Sequence, residues 1–201
     1  MKIRQYSAAG MTAFLILLAT STFATEWALD SKESQLNFIS VKKTHIAEVH
    51  QFTGLKGDLD DKGNFRFEID LNSVDTNIAI RDERMREYLF QTKIQSFSQA
   101  IVTAKLDDTV IDLIPVGASE TLNVEAKLAL HGETKLLNME LLVTRLADEK
   151  LLVISAKPVL LKVDDFALVA GVEKLKELAK LPSISYAVPV TFELMFTGYN
   201  E

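Results

Sequence analysis

Over residues 64–71 every second side chain is apolar. Phe65, Phe67, Ile69 and Leu71 fall on one side of an extended chain, and Arg66, Glu68 and Asp70 fall on the other. Side chains of a strand alternate between its faces, so this spacing predicts a strand with one buried and one wet face. The pattern returns at Leu122, Val124, Ala126, Leu128 and Leu130, opposed by Asn123, Glu125 and Lys127. It returns again at Val188, Val190, Phe192, Leu194 and Phe196, and more weakly over residues 36–38, 52–59, 100–106, 137–143 and 152–163. Turn chemistry separates these runs: Asp60-Asp61-Lys62-Gly63-Asn64, His131-Gly132-Glu133 and Ala147-Asp148-Glu149-Lys150 read as hairpin loops. Gly54 and Gly57 interrupt a strand pattern, where glycine marks a bulge or a sharp bend. At least eight strands with short connections predict an all-β domain, either a closed antiparallel barrel or a sandwich.

Two stretches change period. Residues 81–90 carry Met85, Tyr88 and Leu89 at helical spacing. Residues 172–181 align Val172, Leu175, Leu178 and Ala179 on one stripe, with Gly171 before them and Pro182 as the stop. Both are too short to be stable alone and must dock on the sheet. No repeat or linker divides the chain.

The first 24 residues have a different character. Lys2 and Arg4 precede a run from Ala8 to Ala19 that is apolar or small apart from Thr12, and Thr22 and Ala24 supply small residues for a cleavage site. This layout predicts a signal peptide removed after Ala24, leaving one exported domain over residues 25–201. The apolar run is shorter than the roughly 20 residues needed to cross a bilayer. No cysteine exists for a lipid anchor, a disulfide, thiol catalysis or a thiolate metal site. The mature chain keeps 20 basic against 28 acidic side chains, a poor match for nucleic acid or an anionic surface.

Chemistry-bearing patterns are scarce. His45 and His50 are five apart, which suits neither one helical nor one strand face, and His131 stands in a turn. All three read as surface or loop histidines, so no metal site and no cofactor are predicted. The sequence holds no HExxH, GxSxG, P-loop or GxGxxG pattern, and its acids are scattered without an evident pair, so no catalytic residue is named. Apolar strand residues are in excess, with both faces apolar at Leu136-Leu137 and from Leu151 to Ile154. An eight-stranded barrel can fill its interior with side chains or enclose one apolar ligand. On the residues alone the two stand level.

A longer pattern bears on that choice. Trp27-Ala28-Leu29-Asp30 followed by Ser34-Gln35-Leu36-Asn37-Phe38 resembles the opening of YceI-like proteins. Phe52 with Leu55-Lys56-Gly57-Asp58-Leu59, then Ser73-Val74-Asp75-Thr76, Arg81-Asp82-Glu83-Arg84-Met85 and Leu128-Ala129-Leu130-His131-Gly132-Glu133-Thr134 are similar to successive family motifs. The likeness runs over about residues 26–197. It implies a periplasmic protein with a lipocalin-like antiparallel β-barrel of about eight strands whose apolar interior binds an isoprenoid lipid, such as a quinone tail or a prenyl phosphate. Residues on the inward strand faces become the candidate lining: Phe38, Phe52, Phe65, Phe67, Ile69, Val124, Leu128 and Phe192. Arg81, at the start of the first helix, is the candidate polar contact at the mouth, with pairing to Asp82, Glu83 or a turn acid as the alternative.

The sequence departs from the family at Val163-Asp164-Asp165-Phe166-Ala167, where the family often has Arg for Val163 and Gly for Ala167. The His-Gly common in the family's second strand region is replaced by His50-Gln51-Phe52. These changes leave the apolar barrel intact and the headgroup open. A filled barrel acting as a structural or stress-response partner, and an enzyme working on a bound lipid, are the other two classes the sequence admits. The export reading has a direct check. The intact mass of the exported protein should correspond to a chain starting at Thr25, and a retained Met1 or a membrane-bound form overturns it.

Overall fold

The computed structural model describes residues 26–94, 97–107 and 109–199; the leader and its cleavage point lie outside them. The described residues form eleven strands: β1 (Glu26–Lys42), β2 (Ile46–Phe52), β3 (Leu55–Leu59), β4 (Asn64–Asp70), β5 (Val74–Asp75), β6 (Gln99–Lys105), β7 (Ser119–Leu130), β8 (Glu133–Ala147), β9 (Lys150–Ser155), β10 (Val159–Lys162) and β11 (Ala187–Tyr199). All pairings are antiparallel, and β1 pairs with β11 to close the sheet into a barrel. Three places around the ring are each shared by two strands. Beside β1 the sheet continues as β2 at one end and β3 at the other, which pair in turn with β5 and β4. On the far side of β11, β9 and β10 follow one another along the same edge. Eleven strands thus occupy eight places, matching the lipocalin-like expectation.

The interruptions have local causes. The predicted strand at 52–59 breaks at Thr53-Gly54, where a Cβ on Gly54 would lie 3.0 Å from the Cβ atoms of Asp70 and Ser73. Gly57 is not a bulge. It pairs in unbroken register with Phe67, whose ring would be 3.2 Å from an added Cβ, so the glycine makes room for that ring. The irregularity of β1 lies instead between Asp30 and Gln35. There Asp30 accepts from the Lys32 and Glu33 N–H groups, and Ser34 Oγ donates to the Asp30 carbonyl at 2.6 Å while accepting from Met195 N–H.

The alternation read from sequence matches the burial. Phe67 and Ile69 on β4, Val124, Ala126, Leu128 and Leu130 on β7, and Leu194 and Phe196 on β11 are all buried. One end of the barrel is occupied by the connection between β6 and β7, which buries Ile111 and Ile114. Arg145 fixes this connection: its backbone N–H donates to the Ala118 carbonyl, its carbonyl accepts from Gly117 N–H, and its guanidinium lies 5.9 Å from the Trp27 ring centre.

The helices lie at the other end and differ in extent from the prediction. The first, α1 (Ala79–Arg84), begins two residues before Arg81 and runs into a π-helical turn, Met85–Leu89, that buries Met85 and Leu89. The second, α2 (Val169–Leu178), takes Gly171 into its first turn. A Cβ on Gly171 would stand 2.7 Å from both Leu89 Cα and the Tyr88 carbonyl oxygen, so the absent side chain is what lets the two helices touch. The helix ends before Pro182 is reached, because Lys180 turns left-handed (φ +51°) and Leu181 N–H returns to the Lys176 carbonyl. Val172 is buried and Leu175 half-buried against the core, but Ala179 is exposed.

Ahead of α2 a 3₁₀ turn, Val163–Phe166, ends at Ala167 with φ +53°. This is a conformation glycine adopts freely and L side chains resist by about 1–2 kcal/mol, which accounts for Gly at this position in the family pattern. Two opposite effects are expected in denaturant unfolding. Ala167→Gly should stabilise by about 1 kcal/mol. Gly171→Ala, which meets backbone rather than a movable side chain, should destabilise by about 1–3 kcal/mol.

Candidate ligand cavity

Side chains do not fill the barrel. A cavity of about 550 Å³ remains, walled by the inward faces of the strands and by the inner sides of the π turn, the 3₁₀ turn and α2. Phe38, Phe52, Phe65, Phe67, Ile69, Val124, Leu128 and Phe192 all stand on its wall, and Arg81 lies at its rim. Aromatic rings pack along one side: Phe38 and Phe52 stack at 5.2 Å, Phe52 meets Phe90 at 5.7 Å, and Phe65 meets Phe196 edge-on at 6.1 Å. The inward strand faces do not account for the lining contributed from outside the strands. Met85, Leu89, Phe90, Phe166, Val172 and Ile111 belong to turns, helices and the β6–β7 connection. Their positions depend on docking, which period alone does not encode.

The polar lining residues are Ser40, Lys42, Glu48, His50, Arg81, Arg84, Lys162 and Ser185. They come from the ends of β1 and β10, the start of β2, α1 and the approach to β11, and so from one end of the barrel. Glu48 links two of the cations. Its Oε2 accepts from Lys42 Nζ at 2.7 Å and Arg81 Nη1 at 2.9 Å, and these partners hold its carboxyl below the usual range. Arg81 therefore pairs with β2, not with Asp82 or Glu83. Its Nη2 also donates to the Thr76 carbonyl at 2.7 Å, while Asp82 accepts from the Thr76 N–H and hydroxyl. The buried Arg81 Nε has no hydrogen-bond partner among the described residues. Among the described residues, four cations and one anion line the mouth of a chain that is acidic overall.

His50 corrects the surface or loop reading. It lies in β2, 3% exposed, with its ring 5.1 Å from Phe38 and its Nε2 2.8 Å from Ser40 Oγ; Nδ1 has no hydrogen-bond partner among the described residues. A signal for it existed. Ile46, Glu48, His50 and Phe52 share one strand face, but the two polar residues obscured the apolar alternation. His45 is exposed in the β1–β2 turn, as predicted, and His131 is half-buried with its ring 4.4 Å from Phe97. Among the described residues no group of three or more His, Cys, Asp or Glu side chains is placed to hold a metal ion. No described helix is long and apolar enough to cross a membrane.

The model of the YceI-like domain matches residues 27–196. The chain belongs to the YceI-like family. A solved polyisoprenoid binding domain from Saccharophagus degradans, implicated in plant cell wall breakdown, is 40% identical, with a TM-score of 0.84 over 89% of this chain and all of that one. BcnA of Burkholderia cenocepacia, 17% identical over 83% of this chain and 98% of its own, shares the fold at a TM-score of 0.62. No curated protein matches the sequence. Within the YceI-like fold, the two changes in the 163–167 stretch now have places. Val163 is buried on the cavity wall, where an Arg is common in the family pattern, and Ala167 caps the adjacent turn.

Burial, followed by the positive charge of Arg81, pushes the His50 imidazole below its ordinary value of 6.5. The folded state therefore resists a proton that the unfolded chain accepts. Stability from this group is complete above about pH 6.5 and is lost as pH falls toward the depressed folded value. Urea unfolding between about pH 7.5 and 5 should show declining stability, and His50→Gln should flatten the slope. Any residual histidine slope should come from His131, whose burial also lowers it.

Proposed function

We propose that the chain is an exported, periplasmic isoprenoid-binding protein that carries or scavenges lipid by holding the apolar tail in the barrel and the polar head at the Arg81 end. The segregation of the lining carries this reading: hydrocarbon over most of the wall, and polar groups at one end only. The polyisoprenoid binding domain at 40% identity supports the ligand class. The leader pattern of residues 1–24 supports export.

The mechanism is physical. Each methylene removed from water contributes about 0.8 kcal/mol, offset by the ordering of a flexible tail and the loss of its free motion. A long tail therefore supplies affinity without catalytic groups. The head supplies orientation. Lys42, Arg81, Arg84 and Lys162 attract an anionic or strongly accepting head, and Arg81 Nε is a donor available to it. A prenyl phosphate or a quinone fits this arrangement. Lys162, next to Val163, provides a cation near the position where the family pattern often has Arg.

Protein recovered from its native compartment should yield about one equivalent of isoprenoid on organic extraction and mass spectrometry. Phe67→Trp and Leu128→Phe add bulk on the inward faces of β4 and β7, where both native side chains are 4% exposed. They should retain β-sheet circular dichroism while losing ligand or selecting shorter tails. The same-sized changes at Glu68 and Lys127, one residue away on the outer face, should alter neither. An empty native protein, or unchanged ligand content in the inward variants, overturns the proposal.

A further inference from the structure

The barrel wall is not paired throughout. All twelve residues of β7 pair with β8, and all seven of β6 pair with β4. Between β6 and β7 only four pairs form, Ile101–Ala104 with Ala126–Ala129. Beyond Ala104 and Ala126 the two strands separate, and the first part of β7 continues without β6 beside it. Barrels otherwise close by pairing every strand on both sides.

The separation lies toward the end of the barrel remote from the mouth. Ala104 pairs with Phe65, Phe65 with Leu59, and Leu59 with Trp27, at the start of β1. A crevice of about 630 Å³ occupies it. Its outer part is bordered mostly by polar and charged side chains, Thr103, Lys105, Asp107, Thr121, Asn123, Glu125 and Lys127, with Val110 and Leu136 among them. Its inner part is bordered by Ala104, Leu106, Leu122 and Val124, and these same four residues line the barrel cavity. One layer of apolar side chains is therefore common to the cavity and the crevice. On the outside, Leu136 is 57% exposed and pairs with Lys127.

We propose that this opening is a lateral exit through which the far end of a long isoprenoid tail leaves the cavity, while the head stays at the Arg81 mouth. The inference rests on the isoprenoid-binding reading. The cavity has a fixed volume, and its remote end is backed by Ile111, Ile114 and the Arg145-held connection. A tail that outgrows it must coil back or pass through the wall. Ala104, Leu106, Leu122 and Val124 offer an apolar path through the wall itself, and the polar and charged side chains of the crevice border lie beyond it. Affinity for tails that fit the cavity is then independent of the opening, whereas affinity for longer tails depends on it.

The chain has no cysteine, so one introduced pair reacts alone. Lys105→Cys with Glu125→Cys places thiols at the next positions beyond the last β6–β7 pair, both outside the cavity. They are joined by a short bis-maleimide and the bridge is verified by mass. Thr121→Trp, on the crevice side only, obstructs the same opening without a bridge. Binding of farnesyl- and decaprenyl-substituted benzoquinones is compared for the native protein, the bridged and unbridged pair, and Thr121→Trp. The expected result is a loss of about ten-fold or more in decaprenyl affinity in the bridged and Trp proteins, with farnesyl affinity unchanged. Equal effects on the two quinones, or no effect on either, overturn the lateral exit and leave the isoprenoid reading standing. Native protein that binds neither quinone overturns both.

Discussion

The pairing of β1 with β11 is the contact on which the rest of the structure depends. It joins the first and last strands of the described chain, with Glu26 opposite Tyr199 and Phe38 opposite Val190. Without it the sheet would have two open edges and its apolar face would need another layer to cover it. With it the sheet covers itself, and the inner face becomes a cavity wall. The closure cannot form until β11 exists, so the interior stays open to water until nearly the whole domain has been made. This is the non-local kind of contact that makes β topologies slow to fold. The irregularity between Asp30 and Gln35 belongs to the same seam. Ser34 ties it down by accepting from Met195 N–H on the facing strand.

What was legible in sequence follows from which contacts are local. Strand faces depend only on parity, and parity placed Phe65, Phe67 and Ile69, Val124 and Leu128, and Phe192 on the cavity side. Hairpins at Asp60 to Asn64 and at His131-Gly132 depend on nearby residues and were equally readable. Helix limits were less so. The start of α2 is set by contact between Gly171 and Leu89, some eighty positions earlier in the chain, and its end by the left-handed turn at Lys180. The opening between β6 and β7 was invisible for the same reason. Leu122 and Val124 keep perfect alternation whether or not a strand lies beside them, since alternation reports a face and not an edge.

His50 illustrates a subtler loss of signal. A search for apolar alternation treats a polar residue at an inward position as noise, yet such residues are where a cavity acquires polarity. On β1 the inward series runs Leu36, Phe38, Ser40, Lys42; on β2, read in the same spatial direction, it runs Phe52, His50, Glu48. The two series are adjacent, with Phe38 opposite His50 and Ser40 opposite Glu48. Each passes from hydrocarbon through a hydrogen-bonding group to a charge. The gradient is written in the parity of two consecutive strands and becomes apparent once polar residues are read by position.

That gradient also decides how the ends of the cavity differ energetically. Placing a charge among the Phe and Leu side chains at the remote end would cost several kcal/mol unless water followed it. At the mouth, Glu48 is held by Lys42 and Arg81, and both salt-bridged cations remain partly exposed, so charge is retained there at modest cost. An amphipathic lipid entering the barrel therefore meets opposite penalties in its two orientations. Head-first, it strips water from the head and places it in hydrocarbon; tail-first, it removes the tail from water and leaves the head among solvated donors. The preference requires no complementary shape for the head, only the single ordered change along β1 and β2 from Leu36 and Phe52 to Lys42 and Glu48. On the proposed function, substitutions that move polarity inward, at Phe38 or Phe52, should erase orientation before they erase the barrel, because the backbone pairings on either side of them are unchanged.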